Sequence, residues 1–385
     1  MAKKEKKPTV LRTVSIKIGA DAAAVAALSA IQEAYAGACN LLVAVVAETR
    51  CWNRYKLHTL AYQRLRAETP LGAQMCCNAI RSVTSAYKTL KANGGISKGK
   101  PVPAIGFRRA AVHFDKRTFT MRGNNLSLNT LGKRVTVALM PGKHQLQLLA
   151  WGVPKEAELH CRKGQWFFNL VLEKEIEFHT SGPVMGIDVG ENNLAATNTG
   201  KIWGGGALRH KRDRHLALRQ RTQSNGSQSS RQLLRKVSGK ESRHMRHVNH
   251  IVSKEIVTEA VRIGARAIAM EDLTHIRDRI KAGLRVRTRL HRWAFRQLQD
   301  FTAYKAAEEG IATVFTDPAY TSNGCSECGQ IGSRVKHRFT CKCGRRAHSD
   351  VNAASNHARL GERALSPRGD VNRPYVGEIN HALSL

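Results

Sequence analysis

Acid is scarce in this chain. Its 385 residues include 29 Asp and Glu against 63 Lys and Arg, a formal net charge of +34. Charge that one-sided destabilises a compact fold through self-repulsion, so a polyanionic partner that relieves it is the natural expectation. A merely solvated surface would intersperse both signs with a small imbalance. Long apolar runs are also lacking. None approaches the ~20 residues that span a bilayer, and the longest, 38–47, is interrupted by Asn40. A buried helix is expected there and a membrane partner disfavoured. The opening MAKKEKK has no apolar segment behind it, so no secretory signal is read. Evenly paired cysteines are missing too. Of nine, Cys39, Cys51, Cys76, Cys77 and Cys161 are scattered, and four cluster at 325–343. That pattern fits a reducing compartment with one metal site, not a disulfide scaffold, and a cytoplasmic location is expected.

What is present suffices for real cores. Apolar residues make up 42% of the chain, and the length predicts two or three packed units. Residues 8–17 alternate as a strand, with Arg12 the exception. From Asp21 to Asn93 the spacing is helical, and the turn-rich 94–103 marks a boundary. Residues 104–178 read as strands, Trp166–Val171 most cleanly. A new unit starts near Val184, with short strands at 184–188, 194–198 and 201–203. Residues 207–247 hold twelve Lys and Arg against Asp213 and Glu241 and predict two basic helices with a mobile tip at SNGSQSS. An amphipathic helix follows at 248–263 and a buried strand at 265–270. Residues 277–292 add seven cations against Asp278. A helix from Trp293 to Glu309 and a strand at 312–315 lead into the cysteines, and the chain beyond Arg359 reads as loose.

Two motifs share one form, an apolar strand ending in an acid: GIDVGENNLA at 186–195 and IAMEDL at 268–273. A third acid, Asp350, opens a helix in HSDVNAASNHA. Carboxylates at strand ends and a helix start can converge on one point, where hard oxygens suit Mg²⁺. Two such ions activate water and stabilise the leaving oxygen in phosphodiester hydrolysis. A single strand-terminal Asp, by contrast, is often only a turn former or cap. Asp272 is expected to face away from Glu271. Asn352 is the nearest alternative to Asp350, but uncharged.

In order and spacing, GIDVGxNNLA, xxMEDL, TSxxCxxCG, CxCG and DVNAA resemble the nuclease half of transposon-encoded TnpB proteins and the related compact type V CRISPR effectors. The resemblance is close from Val184 to His357, including WAFRQLQDFTAYKAAEEGI at 293–311, and holds only in layout before that. It implies an α+β multidomain fold. A β-barrel wedge domain (1–20 and 104–180) would carry an inserted helical recognition lobe (21–103). An RNase H-like (RuvC) α/β nuclease domain (181–320 and 344–360) would carry an inserted zinc ribbon (321–343), with a flexible tail at 361–385. It further implies that Asp188, Glu271 and Asp350 are the catalytic acids and hold two Mg²⁺, with Mn²⁺ able to substitute. The partners implied are a guide RNA, double-stranded target DNA and its displaced strand, in a prokaryotic cytoplasm, nucleoid-associated when on DNA.

Cys325-x2-Cys328, then Cys341-x-Cys343-Gly344, supply two close pairs suited to a tetrahedral thiolate cage for a structural Zn²⁺. The second pair is tighter than the family's usual spacing, with only Lys342 between its cysteines, which leaves His337 or His348 as alternative ligands. The basic segments are expected to contact phosphate by electrostatics. An RNA-guided, transposon-associated DNA endonuclease is therefore the primary expectation. The alternatives are a type V CRISPR effector with the same chemistry, a guide-directed repressor that holds DNA without cutting, and, less favoured, an autonomous junction resolvase.

Overall fold

The structure is a computed structural model that describes residues 7–97, 99–109, 111–273, 295–317 and 321–366. The chain is mixed α/β and divides into two compact units, Leu11–Lys174 and Met1–Val10 with Glu175–Leu385.

In the first unit, β1 (Thr9–Gly19) buries Val14, Ile16 and Ile18 between exposed neighbours, the period-two pattern of a half-covered strand. Three helices then intervene: α1 (Ala22–Thr49), α2 (Arg54–Glu68) and α3 (Ala73–Ala92). The chain returns as β2 (Val112–Asp115), β3 (Phe119–Arg122), β4 (Asn125–Asn129) and β5 (Arg134–Met140). A short helix, α4 (Lys143–Leu149), precedes β6 (Val153–Arg162) and β7 (Gln165–Glu175). These strands form one seven-stranded sheet, ordered β2-β6-β7-β1-β5-β4-β3. Phe168 anchors its apolar face, with Phe119 edge-on at 5.4 Å and Phe114 at 6.2 Å.

Helix α1 corrects one sequence expectation. Taken whole, its 28 residues are long and apolar enough to cross a membrane by length and composition. Counting uninterrupted runs missed this by stopping at Asn40. In the structure the helix lines the core instead, burying Leu28, Ile31, Tyr35, Cys39 and Leu42. Asn40 clamps the backbone of Phe107, donating to its carbonyl at 3.0 Å and accepting from its N–H at 2.8 Å.

The second unit is built on β8 (Val184–Asp188), β9 (Asn193–Thr197), β10 (Ile202–Gly204), β11 (Ala267–Glu271) and β12 (Ala312–Thr316), in the order β10-β9-β8-β11-β12. β11 runs parallel to both β8 and β12, whereas β9 and β10 run antiparallel. β8 and β11 are buried at every position but the last, as parallel strands covered on both faces must be. Between β10 and β11 lie α5 (Gly206–Asn225), α6 (Gln228–Val237) and α7 (Lys240–Arg262). The two basic helices expected within 207–247 are α5 and α6, which meet at SNGSQSS, and the amphipathic helix expected at 248–263 is α7, which starts earlier, at Lys240. SNGSQSS forms a tight corner in which Gly226 adopts φ 64° and Ser227 caps α6.

α8 (Phe295–Glu308) packs on α7, with Phe301 stacked on His250 at 3.9 Å. A small sheet, β13 (Ser333–Val335), β14 (Arg338–Thr340) and β15 (Arg346–His348), leads into α9 (Ser349–Leu365). α9 lies directly against β8. A Cβ on Gly186 would fall on the Ala354 carbonyl, and one on Gly361 would come within 2.7 Å of the Ala269 Cβ. Only glycine lets helix and sheet approach this closely. The stretch read as a loose tail from 361 therefore begins inside α9, because Gly361 is a packing residue and not a stop. Residues 367–385, the basic segment 277–292 and the Trp293 start of the expected helix lie outside the described residues.

Candidate active site

The register of two parallel strands sets the site. Met270 pairs with Ile187, so Glu271 and Asp188, the last residues of β11 and β8, end side by side on one face of the sheet. Their carboxylate oxygens lie within 4.8 Å of each other and of a ring nitrogen of His357. Asp272 turns into the backbone beside β12, donating its N–H to the Thr316 carbonyl at 2.8 Å.

Asp350, on the first turn of α9, lies close enough for its charge to act on Asp188 but outside that 4.8 Å group, and its oxygens are engaged. Asn193 donates to Oδ2 at 2.8 Å, and Arg334 and Ser349 donate to Oδ1, each at 3.1 Å. Asn193 belongs to the GENNLA motif and Arg334 to β13. His348 caps α9, accepting the Asp350 N–H at 3.2 Å. Asn352 is committed elsewhere: it accepts from the Ser326 N–H at 3.1 Å and donates to the Gly324 carbonyl at 2.8 Å. One turn on, Asn356 donates to the Thr321 and Gly324 carbonyls. One face of α9 thus carries Asp350 to the carboxylates while another grips the loop before Cys325.

Three acids so close cannot all be charged comfortably. Burial, then the charges of Asp350 and Glu271, push the Asp188 carboxyl up to about 8, against the opposing pull of Arg334. Burial, then Asp272, raises Glu271. Burial brings His357 down to about 4, a neutral imidazole at physiological pH. Its Nδ1 lies 2.7 Å from the Thr316 hydroxyl, and its Nε2 has no hydrogen-bond partner among the described residues. Beneath Glu271, Gln299 donates to that residue's carbonyl at 2.6 Å.

The sequence did not single out Asn193, Arg334, Gln299 or His357. His357 alone carried a signal, since it follows Asp350 by two helical turns and so shares its face.

The four clustered cysteines converge. Cys325 Sγ is 3.7 Å from Cys343 Sγ, and Cys328 Sγ is 3.5 Å from Cys341 Sγ; all four sulfurs fit within 4.8 Å. Thiolates 2.3 Å from a tetrahedral Zn²⁺ sit about 3.8 Å apart, so the spacing suits that ion and is far beyond a disulfide. His337 and His348 do not join the sulfurs. They stack on each other at 5.3 Å and group with Asp350. Burial works to raise the Cys325 thiol, but the backbone N–H groups of Cys328 and Glu327 and the neighbouring thiols outweigh it, bringing Cys325 down to about 7.

The cations of α5 to α7 face outward. Arg212 is buried and paired with Glu241 at 3.5 Å. The remaining Lys and Arg of 207–247 are exposed, with Asp213 the other acid in the stretch.

Residues 295–357 match the family described as Cas12f1-like, TNB domain. The chain is 34% identical over 250 residues to the CRISPR-associated endodeoxyribonuclease Cas12f1 of Sulfoacidibacillus thermotolerans, covering 59% of this chain and 56% of that protein. It is 38% identical over 111 residues to a TnpB-like protein of Methanocaldococcus jannaschii, covering 29% and 40%. The chain spans about half the length of these relatives. Among solved structures, a Cas12f1–sgRNA–target DNA complex superposes with a TM-score of 0.66 at 13% identity, covering 91% of this chain and 99% of that one, a likeness of fold. Over these stretches the chain is similar to Cas12f1 and TnpB-like proteins.

Proposed function

We propose that this chain, a TnpB/Cas12f-type protein, is an RNA-guided, divalent-metal-dependent DNA endonuclease. The observation that carries the reading is the meeting of Asp188 and Glu271 at the ends of parallel strands, with Asp350 beside them on α9. These acids would hold Mg²⁺ or Mn²⁺ through hard oxygens. When bound, such ions activate water and stabilise the leaving oxygen of a phosphodiester. The chain's residues do the rest. Asp188 would hold the cation as an ionised carboxylate. Asn193 and Ser349 orient Asp350. Arg334 holds Asp350 in the nucleic-acid-free chain and exchanges that carboxylate for a backbone phosphate when a strand enters.

The five-stranded sheet with α9 is read as an RuvC-like, RNase H-type nuclease domain (181–320 and 344–360). The cysteine sheet is read as an inserted zinc ribbon (321–343), with Zn²⁺ held by Cys325, Cys328, Cys341 and Cys343 in a closed, structural role. The first unit is read as a wedge (1–20 and 104–180) with an inserted recognition lobe (21–103). Exposed cations on α5 to α7 supply phosphate contact without sequence preference. Target sequence is left to pairing with a guide RNA, and the protein reads duplex shape and a short flanking motif.

The test is cleavage of a matched duplex by protein purified with its RNA. The target should be cut only when RNA and Mg²⁺ are present, and changing the guide segment should move the cut. Site-specific cutting by RNase-treated protein would sink the guided reading in favour of an autonomous resolvase. A type V CRISPR effector has the same chemistry, and the DNA flanking the gene separates it from a transposon protein. A repressor that does not cut would be expected to have lost an acid, and all three are present.

A further inference from the structure

His357 is the one side chain at the site whose placement the acids do not explain. It sits on α9 two turns beyond Asp350, with no exposed surface, under the ends of β8 and β11. A ring nitrogen lies within 4.8 Å of both the Asp188 and the Glu271 carboxylates. The Thr316 hydroxyl decides which tautomer the ring adopts. That hydroxyl has a single proton, and it donates to the Met270 carbonyl at 3.2 Å. In the tautomer that fits this, the ring donates from Nδ1 to Thr316 across the 2.7 Å contact. Nε2 is then an acceptor, sealed from water and without a partner among the described residues. A buried acceptor left unpaired is costly, and nitrogen acceptors of this kind beside carboxylates are satisfied by a cation. A ring fixed at its far nitrogen by a hydrogen bond is how proteins orient metal-binding histidines.

We infer that His357 Nε2 is a third ligand, with Asp188 and Glu271, to one divalent cation, so that one metal position is a mixed nitrogen–oxygen site. This rests on the reading of Asp188 and Glu271 as cation ligands and goes beyond it in ligand set and metal preference. Mg²⁺ binds oxygen and parts with water reluctantly, whereas first-row transition ions accept imidazole. This position therefore prefers Mn²⁺ to Mg²⁺, in contrast to an all-carboxylate site.

The test is pulsed electron paramagnetic resonance of Mn²⁺ bound to the full-length, zinc-loaded protein, with histidine labelled by ¹⁵N. The expected result is a histidine nitrogen coupling that disappears in Asp188→Ala. It should also disappear in His357→Asn, whose amide N–H can replace Nδ1–H against Thr316 but cannot reach the metal. His357→Asn should weaken Mn²⁺ about tenfold and Mg²⁺ much less. Mn²⁺ binding that depends on Asp188 but shows no nitrogen coupling overturns the role of His357 and leaves the carboxylate reading intact. No Asp188-dependent Mn²⁺ binding overturns both. A coupling that survives Asp188→Ala or His357→Asn belongs to another histidine, with His337 and His348 the nearest pair, and also overturns the inference. The wild-type spectrum needs no variant, so a misfolded His357→Asn leaves the question decidable.

Discussion

Two clusters in the same unit are suited to metals, and they are prepared differently. The four sulfurs already stand at cage distances, 3.5 Å and 3.7 Å within the facing pairs, and α9 grips their loop through Asn352 and Asn356. The carboxylate cluster is unfinished. Asp188 keeps a proton to about 8, Asp350 is taken up by Arg334, and His357 Nε2 has no partner among the described residues. A structural site is complete once its chain folds, whereas a reactive one must hold strain that substrate and cation relieve.

The largest effect should come from breaking the first cluster. Cys341→Ser is expected to cut zinc from about one per chain to near zero by elemental analysis. It should also open the 321–348 region to protease, because such an ion contributes on the order of 10 kcal/mol to the structure it closes. Folded, active, zinc-free protein would show that the sulfurs meet for another reason.

Next in size is the carboxylate cluster. Asp188→Ala should lower cleavage by about three orders of magnitude and leave RNA and DNA binding near wild type, since it removes charge from the metal position alone. The same residue sets a pH dependence in the metal-free protein. Its folded value, about 8, lies above the ordinary 3.8. The stability this gives is complete below the unfolded value and is lost as pH rises toward 8. His357 works in the opposite sense: its folded value, about 4, lies below the ordinary 6.5, so stability falls as pH drops through that window. Thermal melts of metal-free Asp188→Asn should therefore lose the decline that runs from the ordinary 3.8 to about 8 and keep the fall that His357 causes toward acid pH. An unchanged decline across that window would mean that Asp188 is ionised in the folded chain.

Gly186→Val tests whether α9 joins the clusters. Its side chain would meet the Ala354 backbone, and overpacking of this kind costs typically 1–3 kcal/mol. Zinc content should survive while divalent-cation binding at the carboxylates falls, and equal loss of both would mean that the clusters are not separable. The smallest effect is expected from Arg334→Gln. Its ion pair with Asp350 is part-exposed and contributes roughly 0–1 kcal/mol, so melting should barely move. Freeing Asp350 should tighten Mn²⁺ a few-fold by calorimetry, and weaker binding instead would make Arg334 a support of the site and not a brake on it.

How much could be read beforehand follows from what each residue answers to. Apolar strands ending in Asp188 and Glu271 are visible because burial writes continuous apolar runs with a charge at the exit. The cysteines stand out by rarity and spacing. His357 was hidden, because in SNHA it reads as a helix residue, and only Thr316, on a strand distant in sequence, fixes its ring. Gly186 read as one residue of an apolar strand, and nothing in the sequence tells that its missing side chain admits α9. The three helices at 206–262 were legible, but the start of α7 at Lys240 was not, since a polar first turn and a half of helix buries little and leaves a faint apolar stripe. The membrane test on α1 went the other way: averaging over the helix finds what counting runs misses.

The parallel pairing of β8 with β11 has a kinetic consequence. Val184 meets Ala267 only after three helices have intervened, and α9, which covers both strands, is made later still. Contacts this distant along the chain incur loop-closure entropy before they return anything, which slows folding. A ribosome delivering the chain therefore releases the first unit ready to fold while the sheet of the second still waits for its covering helix. Through that interval the basic helices α5 to α7 are already made, while the carboxylate cluster is not yet assembled.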